Sequence, residues 1–109
     1  MDYVNSVRIV GRVSATGEAR RLPSGDTVHT LRVVVPRASR RDRDRSAVDT
    51  IDIACWTAAA RRAAARLAVD DHVEVDGALR RRFFRTGAGV ASRYEVEAQK
   101  VRRLPQGPG

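Results

Sequence analysis

The chain has 109 residues, enough for one domain with a modest core, and its 21 Lys and Arg against 13 Asp and Glu give a formal net charge of +8. Every cation but Lys100 is an arginine, and a surface this basic attracts polyanions, nucleic acid or an anionic membrane at the head of the list. The lone Cys55 excludes an internal disulfide, the two histidines (His29 and His72) exclude a tetrahedral site built from Cys and His alone, and no apolar run approaches the ~18 residues of a membrane span.

Residues 5–14 alternate Val7, Ile9, Gly11 and Val13 with Arg8, Val10, Arg12 and Ser14, the period of a half-buried strand. Leu22-Pro23-Ser24-Gly25-Asp26 is dense in turn formers and reads as a hairpin tip, with 18–22 going in and the β-branched run 27–36 coming out. Pro36, which has no N–H to donate, should end that strand. The charge run 37–46 lacks apolar periodicity and is expected to be a mobile loop. Alternation resumes over 48–56; Thr57 is placed to cap a short alanine-rich helix over 58–68, and Asp70-Asp71 makes a turn. A long strand is expected over 72–84, a glycine-containing tip over 85–92, and a returning strand over 93–104. The domain thus spans 1–104, followed by a short unstructured tail, 105–109.

Five main strands with one short helix between the third and fourth is the order of an all-β OB-fold barrel, and an SH3-like barrel is the runner-up. Strand phase assigns the faces. Ile51, Ile53 and Cys55 share the core side of the third strand, and Val73, Val75, Gly77 and Leu79 that of the fourth. Trp56, Arg80, Arg82 and Phe84 then project outward together. Aromatic faces accept unstacked bases and arginines hold phosphates, so this set is the candidate nucleic-acid-binding face. Trp56 also suits a core or subunit contact. Phe83 is expected to pack inward or against the ribbon. Arg37, Arg40, Arg41 and Arg43 belong either to a solvated loop or to an arm closing over a nucleic-acid backbone.

Other chemistry is thin. Cys55 is core-phased, whereas a reactive thiolate needs an exposed, electropositive place. His72 stands beside Asp71 without a nucleophile, and Asp49 and Asp52 face opposite sides of their strand. Thr86-Gly87-Ala88-Gly89 lacks the Lys-Ser/Thr ending of a phosphate loop. No catalytic set, cofactor or metal site is expected.

In order, Asn5-Ser6-Val7-Arg8-Ile9-Val10-Gly11, Arg20-Arg21-Leu22-Pro23-Ser24-Gly25, Val48-Asp49-Thr50-Ile51-Asp52-Ile53-Ala54-Cys55-Trp56, Val75-Asp76-Gly77-Ala78-Leu79-Arg80-Arg81-Arg82-Phe83-Phe84 and Arg93-Tyr94-Glu95-Val96 resemble the strands of bacterial single-stranded DNA-binding proteins, over about residues 4–104. The arginine- and alanine-rich composition is most similar to a short actinobacterial-type member. The resemblance implies an OB-fold homotetramer, cytoplasmic and associated with the nucleoid. It implies non-enzymatic, sequence-independent binding and protection of single-stranded DNA in replication, recombination and repair. Trp56 and Phe84 fall at base-stacking positions of the family, and Arg80 and Arg82 at phosphate contacts. The sequence departs from the family in lacking a tryptophan near 39–41, in carrying Thr50 where a stacking tryptophan is common, and in carrying Asp52 where a basic residue is common. Charge is therefore expected to carry more of the binding. The sequence also stops at Gly109 without the family's acidic tip for recruiting other proteins, as expected of a short paralogue or a shortened chain. The alternative function is a protein-interaction OB module of the primosome-accessory type, in which the aromatic face is a subunit contact.

Overall fold

The computed structural model describes residues 1–37 and 47–105. The loop expected over 37–46 lies outside these residues apart from Arg37, and the expected tail does so from residue 106 onward. The elements run β1 (Val7–Thr16), β2 (Arg20–Arg21), β3 (Thr27–Pro36), β4 (Val48–Cys55), α1 (Ala58–Ala65), β5 (His72–Thr86) and β6 (Gly89–Leu104). β2 is a two-residue addition paired to Thr27 and Val28 of β3. The other five strands close on themselves in the order β1-β5-β6-β4-β3, with β3 returning to β1. This is the all-β OB-fold barrel anticipated from the strand order, its helix lying between the third and fourth of the long strands.

Closure needs two close backbone approaches, and both fall on glycine. A Cβ on Gly11 would lie 2.4 Å from the Val34 carbonyl oxygen, where β1 crosses from β5 to β3. A Cβ on Gly77 would lie 2.0 Å from the Glu97 carbonyl oxygen. There the β5–β6 register shifts: Asp76 faces Lys100 but Gly77 faces Ala98, so Gln99 is an extra residue on β6. Such a bulge bends a sheet into a barrel wall.

The β-branched alternation fills the interior. Val13, Val33, Ile53, Val73 and Val75 are fully buried there with Cys55. Burial pushes the Cys55 thiol up to about 11, which keeps it neutral and makes it a packing residue, as its phase indicated. Thr57 caps α1, its hydroxyl accepting the Ala60 N–H at 3.1 Å, and Ala60 and Ala64 turn inward with Leu67 to plug the barrel. The helix stops at Ala65 rather than running to 68. The Ala68 N–H is diverted to the Asp71 carboxylate at 2.8 Å, and Asp70 adopts a left-handed φ of 79°. Asp70 N–H and Asp71 carbonyl then bond the backbone of Val13, tying the turn to β1.

The second departure concerns β5 and β6. The tip expected over 85–92 shrinks to the Gly87-Ala88 turn, because both strands continue to Thr86 and Gly89. The Thr86 hydroxyl fastens that turn, accepting the Ala88 N–H and donating to the Gly89 carbonyl, each at 3.2 Å. β1 pairs with β5 only as far as Gly77, and β4 meets β6 only at Val96 and Glu97. Beyond these points β5 and β6 form a ribbon that leaves the barrel. Asn5 marks the exit: its side-chain amide donates to the Leu79 carbonyl at 2.8 Å and accepts the Leu79 N–H at 2.9 Å, standing in for a neighbouring strand. Leu79 keeps the core phase, opposite buried Val96, yet is 45% exposed because the barrel ends there. Its expected core role is thereby corrected. Phe83, expected to pack inward or on the ribbon, is 65% exposed and its ring lies against Arg81 of the ribbon.

Candidate nucleic-acid interface

The outward faces of β3, β4, β5 and β6 border one open groove of about 640 Å³. Strand phase and register bring its parts together. Thr30 and Arg32 on β3 face Ala54 and Asp52 on β4, and Trp56 stands just past the end of β4. Arg82 on β5 faces Arg93 on β6, with Phe84 further along the ribbon. Arg20 of β2 and the C-terminal end of β1, Ala15 and Thr16, complete the rim.

Two aromatic–guanidinium pairs dominate the groove. The Arg82 guanidinium carbon lies 4.4 Å from the Trp56 ring centroid, and that of Arg93 lies 5.1 Å from the Phe84 centroid. Such pairs are worth roughly 0.5–2 kcal/mol, more as water is excluded. Arg82 is also ion-paired to Glu95, whose side chain is almost fully buried. A buried carboxylate needs a counter-charge, so Glu95 holds Arg82 over the indole. Trp56 is half-buried, and its carbonyl accepts the Arg61 guanidinium N–H. Its buried indole N–H has no acceptor among the described residues. Phe84 is 38% exposed and presents its ring to the groove.

The sequence-predicted residues do not all converge. Trp56, Arg82 and Phe84 line the groove. Arg80 shares their strand face but lies outside the groove, held at 3.1 Å by Glu97. Arg37 is remote from it: its guanidinium bonds Asp49 at 2.9 Å and its N–H the Ala47 carbonyl. Arg40, Arg41 and Arg43 lie outside the described residues. Sequence reasoning passed over Arg32, Arg93 and Glu95. Arg32 shares the outward phase of Thr30 and pairs with Asp52 at 3.2 Å. The matched spacing of Arg80 and Arg82 with Glu95 and Glu97 on the returning strand was the available signal for Glu95.

Among the described residues no group of His, Cys, Asp and Glu could hold a metal ion, and no helix is long and apolar enough to cross a membrane. Asp71 caps backbone, and His72 is exposed at the start of β5.

The fold is thus a closed OB barrel with a cationic, aromatic groove on its outer face. Residues 4–104 match the model of the Single-strand binding protein family, and the chain belongs to that family, whose members are not enzymes. No curated protein matches the sequence. Among solved structures, the Plasmodium falciparum SSB in complex with ssDNA is similar in fold, with a TM-score of 0.79 at 19% identity, covering 96% of this chain and 98% of that one.

Proposed function

We propose that this barrel binds single-stranded DNA without reading its sequence. The observation that carries this reading is the pairing of Trp56 with Arg82 and of Phe84 with Arg93 in one groove. Membership of the family supports it. Bases stack on the two rings, and stacking reads π faces that every base possesses. Arg20, Arg32, Arg82 and Arg93 outnumber Asp52 and Glu95 along the groove, which leaves it attractive to phosphates. Arg80, Arg37, Arg40, Arg41 and Arg43, read from the sequence as further phosphate contacts, contribute to the formal net charge of +8 that favours a polyanion. The reading extends to protection of single strands in replication, recombination and repair, in the cytoplasm at the nucleoid. It also extends to a homotetramer, for which exposed Tyr3, Val4 and Val10 offer apolar contact area.

Trp56 is the only tryptophan, so its fluorescence reports on the groove. Titration with an oligothymidine should quench it, and duplex DNA at equal nucleotide concentration should not displace the oligothymidine. Displacement by duplex, or no binding at all, would overturn the reading.

A further inference from the structure

The ribbon has two faces, and the groove uses only one. On the other, Arg81, Phe83 and Arg85 of β5 stand opposite Tyr94, Ser92 and Val90 of β6. The Arg81 guanidinium donates to the Ser92 hydroxyl at 3.1 and 3.2 Å, which holds it within reach of two rings. Its carbon lies 5.0 Å from the Phe83 centroid and 5.7 Å from that of Tyr94. Both rings are open to solvent, Phe83 at 65% and Tyr94 at 60% exposed. Aromatic side chains left this exposed contribute little to folding and mark a contact surface.

Charge identifies the occupant. On the groove face, Arg80 and Arg82 are matched by Glu97 and Glu95. The back face of the ribbon carries Arg81 and Arg85 with no acidic residue, and neither makes an ion pair among the described residues. A second copy of the chain docking there by two-fold symmetry would set these like charges against themselves. A polyanion with flat, stackable groups meets both the unneutralised arginines and the rings. Phe83 also borders the groove, so the two surfaces meet at the ribbon's edge.

We propose that the back of the ribbon, Arg81 with Phe83 and Tyr94, is a second stacking site for single-stranded DNA, so that one strand leaves the groove, crosses the ribbon edge and is gripped on both faces. This rests on the single-strand reading above. Bases stack on Phe83 and Tyr94, while Arg81 and Arg85 take phosphates.

The test compares oligothymidines of about 5 and about 20 nucleotides, which bracket the roughly 4–16 nucleotides an OB fold occupies. In the full chain, Tyr94→Ala, at a ring that does not line the groove, should show the same Trp56 quenching and the same affinity with the short strand as the unaltered protein. It should bind the long strand about tenfold or more weakly. Tyr94→Leu, which keeps apolar area but removes the π face, should not restore it. Arg81→Ala should flatten the salt slope by about 0.7 for the long strand alone. Long-strand affinity equal to wild type in Tyr94→Ala would overturn the second site. So would full rescue by leucine, or a changed sedimentation coefficient with unchanged DNA affinity, which would assign the face to another copy of the chain. Failure of the wild-type protein to bind either oligothymidine would instead remove the underlying reading, and the second site with it.

Discussion

β5 and β6 serve two different environments along one pair of strands. From 72 to 79 and from 96 to 104 they form barrel wall, where Val73, Val75, Val96 and Ala98 are buried and their neighbours face outward. From 80 to 86 and 89 to 95 they form a ribbon with solvent on both faces, and every β5 residue from Arg80 to Thr86 is exposed. In the wall a side chain is held by what it buries. In the ribbon a side chain is held by one cross-strand neighbour, and its apolar area remains available to a partner. The two regions should therefore respond to substitution in opposite ways, one through stability and the other through affinity.

The largest effect is expected in the wall. Ile53 is fully buried at the centre of the core cluster, and Ile53→Ala removes its packing and leaves a cavity that a barrel tied on all sides cannot collapse. The loss should be about 2–5 kcal/mol of unfolding free energy by urea denaturation. A loss within about 0.5 kcal/mol would mean that the wall is not the source of stability, and the contrast would fail.

The intermediate effect belongs to the ribbon. Phe84→Ala should weaken binding of an oligothymidine by about 1–3 kcal/mol while leaving the unfolding free energy within roughly 0.5 kcal/mol of wild type. Calorimetric titration beside a urea melt separates the two quantities. An unfolding loss as large as that of Ile53→Ala, with affinity retained, would place Phe84 functionally in the core and dissolve the distinction.

The same contrast explains what could be read from the sequence. The wall was legible because one face is dry: Val7, Ile9, Gly11 and Val13, then Ile51, Ile53 and Cys55, repeat at period two. The hairpin tip at Pro23-Ser24-Gly25 and the cap at Thr57 were legible because local chemistry dictates them. The ribbon was not, since a strand wet on both faces has no hydrophobic alternation. Phe83 beside Phe84 breaks the pattern, and the arginines at 80, 81, 82 and 85 suggest a tip well before the turn. Leu79 was misplaced because phase gives the side of a strand but not where the barrel stops. The end of α1 was hidden within a run of alanine, whose stop is a side chain of Asp71 reaching back to Ala68. Of the candidate site, Trp56, Arg82 and Phe84 were legible by phase; Arg32, Arg93 and Glu95 required the register between strands.

The smallest effect sits where the two regions join. Glu95 is 9% exposed at the base of the ribbon and neutralises Arg82, which covers Trp56. Two roles for Arg82 follow from that geometry. As a fixed plate over the indole it extends the stacking surface; released, it becomes a phosphate ligand. Glu95→Gln keeps the shape and removes the charge. Stability should fall by no more than about 1 kcal/mol, because Arg82 is partly open to water and is not stranded as an unpaired buried charge. Affinity for an oligothymidine at low salt should rise severalfold. If Arg82 then takes a phosphate, log affinity should fall more steeply with log salt, by about 0.7 in slope. Glu97→Gln, which frees Arg80 outside the groove, serves as the control and should leave Trp56 fluorescence in the free protein unchanged. A steeper slope with altered Trp56 fluorescence identifies Glu95 as a brake on phosphate binding by the groove. An unchanged slope shows that Arg82 stays over Trp56 without its carboxylate, held by the ring alone, and its place is then in the stacking surface.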